Sequence, residues 1–247
     1  MHRLEAIITD LDGTVVLPDG TVSAGVESIM TELHDSSVVA APVTGRDYHS
    51  ATQMIQPLGF RELGVFSGGA SIVDLRQKKI IWEQRIDQQT THRVVSGILP
   101  YSEFIGFGKG RRPVSQISLN DVDSDSYGVW AEVKQNKIAE VLDELASISG
   151  IQTHQNQGPI EGLVGVHITH IDANKYSGSL RMLGMLGILP ENTLAIGDGD
   201  NDLPLFACAG LKVAMGNASP LLKAKADHIV GTVYDDGFVD AMRQFVL

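Results

Sequence analysis

The chain contains almost no cysteine, has no long apolar segment and is short of positive charge. Its 247 residues include one cysteine, Cys208, so no disulfide can form within the chain and the fold must depend on an apolar core. No run of about 18 apolar residues predicts a membrane span. The N-terminal residues show no signal-peptide pattern. We therefore expect a cytoplasmic protein.

The charge balance is acidic, with 19 lysines and arginines against 30 aspartates and glutamates, a formal net charge of −11. Such a chain repels nucleic acids and anionic membranes, so neither is expected as a partner. A phosphorylated ligand would also be repelled at long range. Any site for such a ligand must therefore bring its own cations.

Both ends of the chain alternate short apolar segments with helical periodicity. Residues 4–9 and 38–43 are typical of buried parallel strands, and Ser23 is a candidate N-cap for the helix between them. The alternation resumes after residue 174. Further strands are predicted at 65–66, 193–196, 211–215 and 228–230. This order predicts an α/β fold with a Rossmann-like, doubly wound parallel sheet and helices on both faces.

The middle of the chain does not alternate in this way. Its local patterns predict, in order, a hairpin from 71–73 and 80–82, a helix from about Asp87, a half-exposed strand at 114–119, a loop at 120–126, a helix around 138–148 and a strand at 163–168. We interpret residues 84–165 as an inserted α+β cap domain. Residues 1–83 and 166–247 would then form the catalytic core.

Two aspartates, Asp10 and Asp12, directly follow the first apolar strand. Ligands of open α/β sheets bind beyond the carboxyl ends of the strands, and side chains two residues apart at a strand end point the same way. One carboxylate can attack phosphorus as a nucleophile, while the other protonates the leaving oxygen and then activates water. The plainer interpretation is a strand end with two turn-forming aspartates.

Thr44, Gly45 and Arg46 follow the second strand, and Lys175 stands at the start of a predicted helix. A hydroxyl and a backbone N–H at a strand end suit phosphate oxygens, and an ammonium at a helix N-terminus suits a phosphate. Taken alone, Thr44 and Gly45 are a weak indication, because Thr-Gly is a common turn after a strand. Arg46 fits a surface or helix-start ion pair about as well, and Lys175 alone is better explained as a solvated lysine.

The segment Gly197–Asp202 carries three acidic side chains, those of Asp198, Asp200 and Asp202. Crowded carboxylates repel one another unless a cation lies among them, and hard oxygen ligands suit Mg²⁺. The alternative is an acidic surface loop. Together the four groups of residues supply a nucleophile, an acid/base, phosphate-binding groups and a metal site.

Four segments resemble, in order, the four motifs of the haloacid dehalogenase-like (HAD) hydrolase superfamily: Asp10–Thr14, Thr44–Arg46, Lys175 and Gly197–Asp202. The long insert resembles the large α/β cap of the Cof-like sugar phosphatases and their sucrose-phosphatase and phosphomannomutase relatives. Val213–Ala218 also resembles a segment common in that group. Ser67–Ala70 departs from the Asn-Gly-Ala usual in relatives, which we expect to be a structural change.

The resemblance implies a role for each matching position. Asp10 would be the nucleophile, and Asp12 the acid/base. The implied metal ligands for Mg²⁺ are Asp10, Asp12 through its backbone carbonyl, Asp198 and Asp202. The implied substrate-binding residues are Leu11, Thr44, Gly45, Arg46, Lys175 and Asn201. The expected activity is Mg²⁺-dependent hydrolysis of a small phosphomonoester, such as a sugar phosphate, through an aspartyl-phosphate.

Two other functions stay open. A phosphomutase of the phosphomannomutase type would pass the phosphoryl group to a second hydroxyl, and nothing in the four motifs opposes this. A binding module that senses a sugar phosphate without turnover fits less well, because Asp10 and Asp12 are both present. In the insert, substrate contacts are conceivable from Arg111, Arg112, His154 and His167, which are equally compatible with ordinary surface or packing roles. No pattern predicts an oligomeric state.

Overall fold

The computed structural model describes residues 4–107, 111–122, 126–157 and 160–247. The chain divides into two compact units, one formed by Met1–Trp82 with Asn174–Leu247 and the other by Glu83–Ala173. The predicted end of the insert at residue 165 falls inside a strand, and the second unit continues to Ala173. Among the described residues, no helix has the length and apolar character needed to cross a membrane.

Strands and helices follow one another along the chain as follows. The described strands are β1 (Ala6–Thr9), β2 (Val39–Pro42), β3 (Leu63–Phe66), β4 (Ser71–Asp74), β5 (Lys79–Glu83), β6 (Ser102–Phe107), β7 (Arg111–Pro113), β8 (Val129–Lys134), β9 (Ile151–Gln157), β10 (Leu163–His170), β11 (Thr193–Gly197), β12 (Leu211–Ala214) and β13 (His228–Ile229). The described helices are α1 (Ala24–Asp35), α2 (Tyr48–Leu58), α3 (Gln88–Ile98), α4 (Ile138–Ala146), α5 (Lys175–Leu186), α6 (Leu203–Phe206), α7 (Pro220–Lys223) and α8 (Gly237–Phe245).

The first unit is built on a parallel five-stranded sheet in the order β13-β12-β11-β1-β2. β1 lies between β2 and β11, with Ile7 opposite Ala40 on one side and Leu194 on the other. All four residues of β1 are buried, which explains why three consecutive apolar residues precede Thr9 instead of an alternating pattern. α1 packs against α2 and α8, and α5 packs against α6 and β3. The doubly wound α/β fold is confirmed.

Helix starts in this unit follow local capping rules. Ser23 caps α1 as predicted, and its hydroxyl accepts a hydrogen bond from the Val26 amide at 3.1 Å. Asn174 caps α5 in the same way, accepting from the Ser177 amide at 2.9 Å. Because the cap residue fixes where the helix begins, Asn174 determines that Lys175 is the first residue of α5.

A second, smaller sheet in the order β3-β4-β5 completes the first unit. β3 and β4 are antiparallel, with Val65 opposite Ile72. The predicted hairpin at 71–73 and 80–82 corresponds to β4 and β5 and is confirmed. Lys78 has a positive φ of 55° in the turn before β5, the left-handed conformation that closes such a turn.

The second unit has an antiparallel five-stranded sheet in the order β7-β6-β8-β10-β9. One sheet face forms an apolar core with α3 and α4, and its members include Val94, Ile105, Ala131, Val141 and Val166. The other face carries polar residues, because successive side chains of a strand point to opposite sides. His167 of β10 lies opposite Trp130 of β8 and His154 of β9, so these three side chains share that face.

One element prediction in this unit is wrong. Residues 114–119 do not form a strand: Val114–Gln116 and Leu119–Asp121 are short 3₁₀ turns, and the strand lies upstream at Arg111–Pro113. Val114 and Ile117 pack against the apolar core and are three residues apart, as expected for a 3₁₀ turn. Over so few residues, this spacing is easily mistaken for the alternation of a strand. Strands β6, β8 and β9 were not predicted. Residues 123–125 of the predicted loop lie outside the described part of the chain.

Candidate active site

The candidate site lies at the carboxyl edge of the parallel sheet. Asp10 directly follows β1, Thr44 comes two residues after β2, and Asp198 directly follows β11. β1 pairs with both other strands, and Thr9 lies opposite Pro42 and Ile196. Since parallel strands end at the same edge, the three loops leave the sheet side by side.

Lys175 lies between two aspartates in the interior. Its Nζ donates to Oδ1 of Asp10 at 2.6 Å and to Oδ1 of Asp202 at 2.7 Å. The side chains of Lys175, Asp10 and Asp202 are 4%, 8% and 0% exposed. Burying three charges is costly unless they are paired and hydrogen-bonded. The sequence alone allowed a solvated lysine, whereas the structure shows a buried ion cluster.

The electrostatics of this cluster are governed by burial. Burial raises the pKa of Asp10 to about 8, even though the Lys175 ammonium lowers it and Asp202 adds to the rise. Burial also lowers the pKa of Lys175, but Asp10 and Asp202 more than offset this, so that its pKa is raised overall. Lys175 therefore remains charged, and additional positive charge would favour ionised Asp10.

Asp198 is the third carboxylate of the site. Its Oδ1 accepts from the Thr14 hydroxyl at 3.4 Å, and its Oδ2 accepts from the Asn217 side-chain amide at 3.2 Å. Burial, with repulsion from Asp202, raises the pKa of Asp198 to about 6. Gly13 has a φ of +75°, and a Cβ there would lie 2.3 Å from Oδ2 of Asp198. Only glycine permits this approach of the two loops.

Asp202 organises the loop after β11. Its Oδ2 accepts from the amides of Asp198 and Gly199, both at 2.9 Å, while its Oδ1 accepts from Lys175. Both oxygens are thus engaged by the protein itself. Asp202 holds Asp198 in place and provides the second counter-charge for Lys175.

Asp12 and Arg46 form a separate ion pair. Nε and Nη2 of Arg46 donate to the two carboxylate oxygens of Asp12, each at 2.7 Å. The side chains are 37% and 47% exposed for Arg46 and Asp12. A planar guanidinium matches a carboxylate in this two-bonded geometry. Arg46 therefore orients Asp12.

The remaining predicted site residues occupy several environments. The side chain of Leu11 is fully buried in the core, so any contact with a substrate must come from its backbone. The hydroxyl of buried Thr44 accepts from the Arg46 amide at 3.1 Å, and the Thr44 amide donates to Val65 at 3.0 Å. A Cβ at Gly45 would meet open space. Asn201 is exposed on the Asp200–Asp202 turn.

Sequence reasoning gave no functional role to the turn at Ser67–Gly69, where all three residues have positive φ values. The Ser67 amide donates to the Arg46 carbonyl at 2.7 Å and the Gly68 amide to the Thr44 carbonyl at 3.0 Å. A Cβ at Gly69 would lie 2.1 Å from the Asn174 carbonyl. The turn thus ties the loop after β2 to the start of α5. The sequence feature that could have indicated this role is Ser-Gly-Gly, which departs from the Asn-Gly-Ala usual in relatives.

Asn217 was also missed. Its Nδ2 donates to the Gly13 carbonyl at 2.9 Å as well as to Asp198, and its Oδ1 accepts from the Val233 amide at 2.8 Å. It links the loops that follow β1, β11 and β12. The segment Val213–Ala218 resembles one common in the family, but no pattern within it indicates this bridge.

The residues present fit a divalent cation. Asp10, Asp198 and Asp202 each offer a carboxylate oxygen, and these oxygens lie within 4.8 Å of one another. Oxygen donors of this kind are preferred by Mg²⁺. The raised pKa values of Asp10 and Asp198 show that the group lacks compensating positive charge, which such a cation would supply.

The chain is similar to known proteins along nearly its whole length. The family model of haloacid dehalogenase-like hydrolases matches residues 7–107 and 108–242. A phosphoglycolate phosphatase from Methanobrevibacter smithii is 39% identical over 99% of this chain and 100% of its own length. A 5-amino-6-(5-phospho-D-ribitylamino)uracil phosphatase from Bacillus subtilis is 25% identical over 99% and 96%. A solved structure, a subclass IIB sugar phosphatase of the HAD superfamily, has a TM-score of 0.79 at 19% identity over 98% of both chains.

The family match covers nearly the whole chain, and a curated relative aligns along its full length. The resemblance of the four motifs to the haloacid dehalogenase-like hydrolases is confirmed. This chain belongs to the haloacid dehalogenase-like hydrolases.

Proposed function

We propose that this phosphoric monoester hydrolase uses Mg²⁺ to hydrolyse a small phosphorylated metabolite through an aspartyl-phosphate on Asp10. The observation that carries the proposal is the position of Lys175. Its ammonium joins Asp10 and Asp202 at 2.6 and 2.7 Å, and Asp198 lies in the same group of carboxylates. A buried nucleophile beside fixed positive charge is what transfer of a dianionic phosphoryl group requires.

The metal would be held by Asp10 and Asp198. Asp202 would act mainly by orienting Asp198 and Lys175, since its two oxygens already accept hydrogen bonds from the protein. When bound, Mg²⁺ would neutralise charge on the phosphoryl oxygens and favour ionised Asp10.

The first step forms a bond between a carboxylate oxygen of Asp10 and phosphorus. The bond from phosphorus to the alcohol oxygen breaks, and the alcohol leaves with a proton donated by Asp12. Lys175 stabilises charge on the transferring group. For this step Asp12 would take up a proton on Oδ1 from solvent and exchange its bond with Nη2 of Arg46 for one to the leaving oxygen, while Oδ2 keeps its bond from Nε.

The second step releases phosphate. Asp12, now ionised, takes a proton from water, whose oxygen attacks the phosphorus of the aspartyl-phosphate. The bond from phosphorus to Asp10 then breaks, which regenerates the carboxylate. Thr44 and Gly45 lie at the neighbouring strand end, where the open space beside Gly45 suits the non-transferring phosphoryl oxygens.

Selection of the substrate is proposed to rest with the second unit. The polar face of its sheet presents His154, His167 and Trp130 side by side, a pattern able to bind hydroxyl or carboxylate groups. The relatives named above act on phosphoglycolate and on a phosphorylated ribityl compound. Both are small, polar phosphomonoesters, which supports this substrate class for the present chain.

The direct test is phosphate release from a panel of phosphorylated metabolites, led by phosphoglycolate and sugar phosphates, with and without Mg²⁺. We expect hydrolysis that requires the metal and releases one phosphate per substrate consumed. Asp10→Asn should lower turnover by at least about 10³-fold, because an amide cannot form the covalent intermediate. Asp143→Asn, on an exposed position of α4, is the matched control.

Three results would count against the proposal. Retained activity in Asp10→Asn would remove the covalent mechanism. Consumption of substrate without phosphate release would indicate a phosphomutase. Saturable binding of a sugar phosphate without any turnover would indicate a binding protein.

A further inference from the structure

The outer strand of the small sheet has an unusual composition. β5 is the last strand in the order β3-β4-β5, and within the described residues no further strand pairs with it. Edge strands of natural proteins are normally shielded by charged residues or proline, because their open backbone groups attract other strands. β5 instead carries Ile80, Ile81 and Trp82 at its centre, and the two isoleucines are 38% and 42% exposed.

The charges of β5 stand only at its ends. Lys79 begins the strand and Glu83 ends it. When such a strand pairs with itself antiparallel about Ile81, Lys79 of each copy faces Glu83 of the other. Ile80 then faces Trp82, and Ile81 faces Ile81. Opposite charges and aromatic–β-branched pairs are both favourable as direct cross-strand neighbours.

The strand is also held in place for such pairing. The Arg181 guanidinium of α5 lies over the Trp82 ring, 4.5 Å from its centroid, which anchors one face of β5 to the first unit. Lys79, Ile81 and Glu83 lie on the opposite face, because side chains alternate. An ordered edge strand pairs at a lower entropic cost than a mobile one.

From this self-complementary charge pattern we propose that β5 is a dimerisation edge whose occupant is β5 of a second copy of this chain. The antiparallel register centred on Ile81 joins the two small sheets into one continuous sheet. Five residues from each copy form a small contact compared with stable interfaces. The dimer therefore dissociates on dilution.

A cysteine placed at the centre of the strand tests the register. In the proposed pairing the two Cα atoms of position 81 lie about 4.5–5.5 Å apart, within the range that a disulfide spans. The two Cα atoms of position 79 lie roughly 14 Å apart, which is too far for a disulfide. The native Cys208 is buried and does not compete.

We expect Ile81→Cys to form a covalent dimer under mild oxidation at least about tenfold faster than Lys79→Cys, its matched control. Equal rates for the two variants would overturn the proposal.

The oligomeric state provides a second measurement. Wild-type protein should pass from monomer to dimer as its concentration rises towards about 100 µM in sedimentation velocity experiments. Ile81→Lys places two like charges opposite each other and should remain monomeric, with its fold checked by circular dichroism. Leu189→Lys, on another exposed apolar residue of the same unit, should dimerise like the wild type.

A wild-type chain that stays monomeric throughout this range, or an Ile81→Lys variant that still dimerises, would contradict the proposal. Because hydrolysis is not a readout, these outcomes are independent of the proposed function.

Discussion

The two units use charge in different ways. In the first unit, Asp10, Lys175 and Asp202 are buried and bound to one another at the ends of parallel strands. In the second, polar side chains such as His154 and His167 stand on one face of an antiparallel sheet. A buried ion cluster tolerates little change, because removing one member leaves the others uncompensated. A polar sheet face accepts substitution more readily, which is consistent with the proposal that the first unit carries the chemistry and the second selects the substrate.

Lys175→Met should break the first arrangement most severely. Without the ammonium, Asp10 and Asp202 are buried without a counter-charge, so we expect activity to fall by about 10³-fold and the free energy of unfolding by about 3–5 kcal/mol at neutral pH. Stability should then decline further as pH rises, because Asp10 must ionise in the interior, where burial raises its pKa. Phosphate release and urea unfolding measure the two effects.

The control for this variant is Lys225→Met, on an exposed lysine of the same unit. Comparable losses in the two variants would mean that the cluster around Lys175 has no special role.

Arg46→Lys tests the orientation of Asp12. Lysine keeps the positive charge but cannot form two parallel bonds to a carboxylate, so we expect kcat to fall by about 10- to 100-fold while KM changes little. Steady-state kinetics on the preferred substrate provide the measurement. Arg76→Lys alters an exposed ion pair with Glu62 and should leave kcat unchanged. A change confined to KM would instead assign Arg46 to substrate binding.

His154→Gln should sharpen the contrast between the units. If the polar sheet face selects the substrate, kcat/KM for the preferred metabolite should change by about tenfold, while a generic aryl phosphate should be affected by less than about twofold. His92→Gln, on helix α3 of the same unit, is the control. An equal loss on both substrates would show that His154 supports the fold or the chemistry rather than selection.

The smallest expected effect is a change in the stability of metal-free protein, produced by Asp198→Asn. Because burial raises the pKa of Asp198 from 3.8 to about 6, the folded chain holds this proton more tightly than the unfolded chain. The contribution of Asp198 to stability therefore falls as pH rises from about 4 to 6. The variant should lack this decline and gain on the order of 1 kcal/mol at neutral pH.

Thermal unfolding across this pH range, with and without Mg²⁺, tests the prediction. Mg²⁺ should stabilise the wild type and have little effect on Asp198→Asn. An identical response of both proteins to the metal would exclude Asp198 as a ligand.

The fold of the first unit was largely predictable because its signals are local. Buried parallel strands read as continuous apolar runs, and Ser23 follows a simple capping rule. The second unit was harder: β8 and β9 were missed, and residues 114–119 imitated a strand. Antiparallel pairing depends on partners far apart in sequence, so short alternating patterns cannot distinguish a strand from a packed turn.

The site shows the same division. Asp10, Asp12, Lys175 and Asp198 stood out through their residue types and their positions after apolar strands. Asn217 and the turn at Ser67–Gly69 did not, because each acts through hydrogen bonds to backbone atoms of distant loops. The residue types alone do not indicate hydrogen bonds of this kind.

By itself, the sequence determined the family, the doubly wound fold and the four groups of residues at three strand ends and one helix start, because these follow from local patterns of polarity and residue type. Only the tertiary structure decided how the charges are paired: Lys175 with Asp10 and Asp202, and Arg46 with Asp12. Pairing depends on distance and burial, and both arise only when strands far apart in the chain lie side by side.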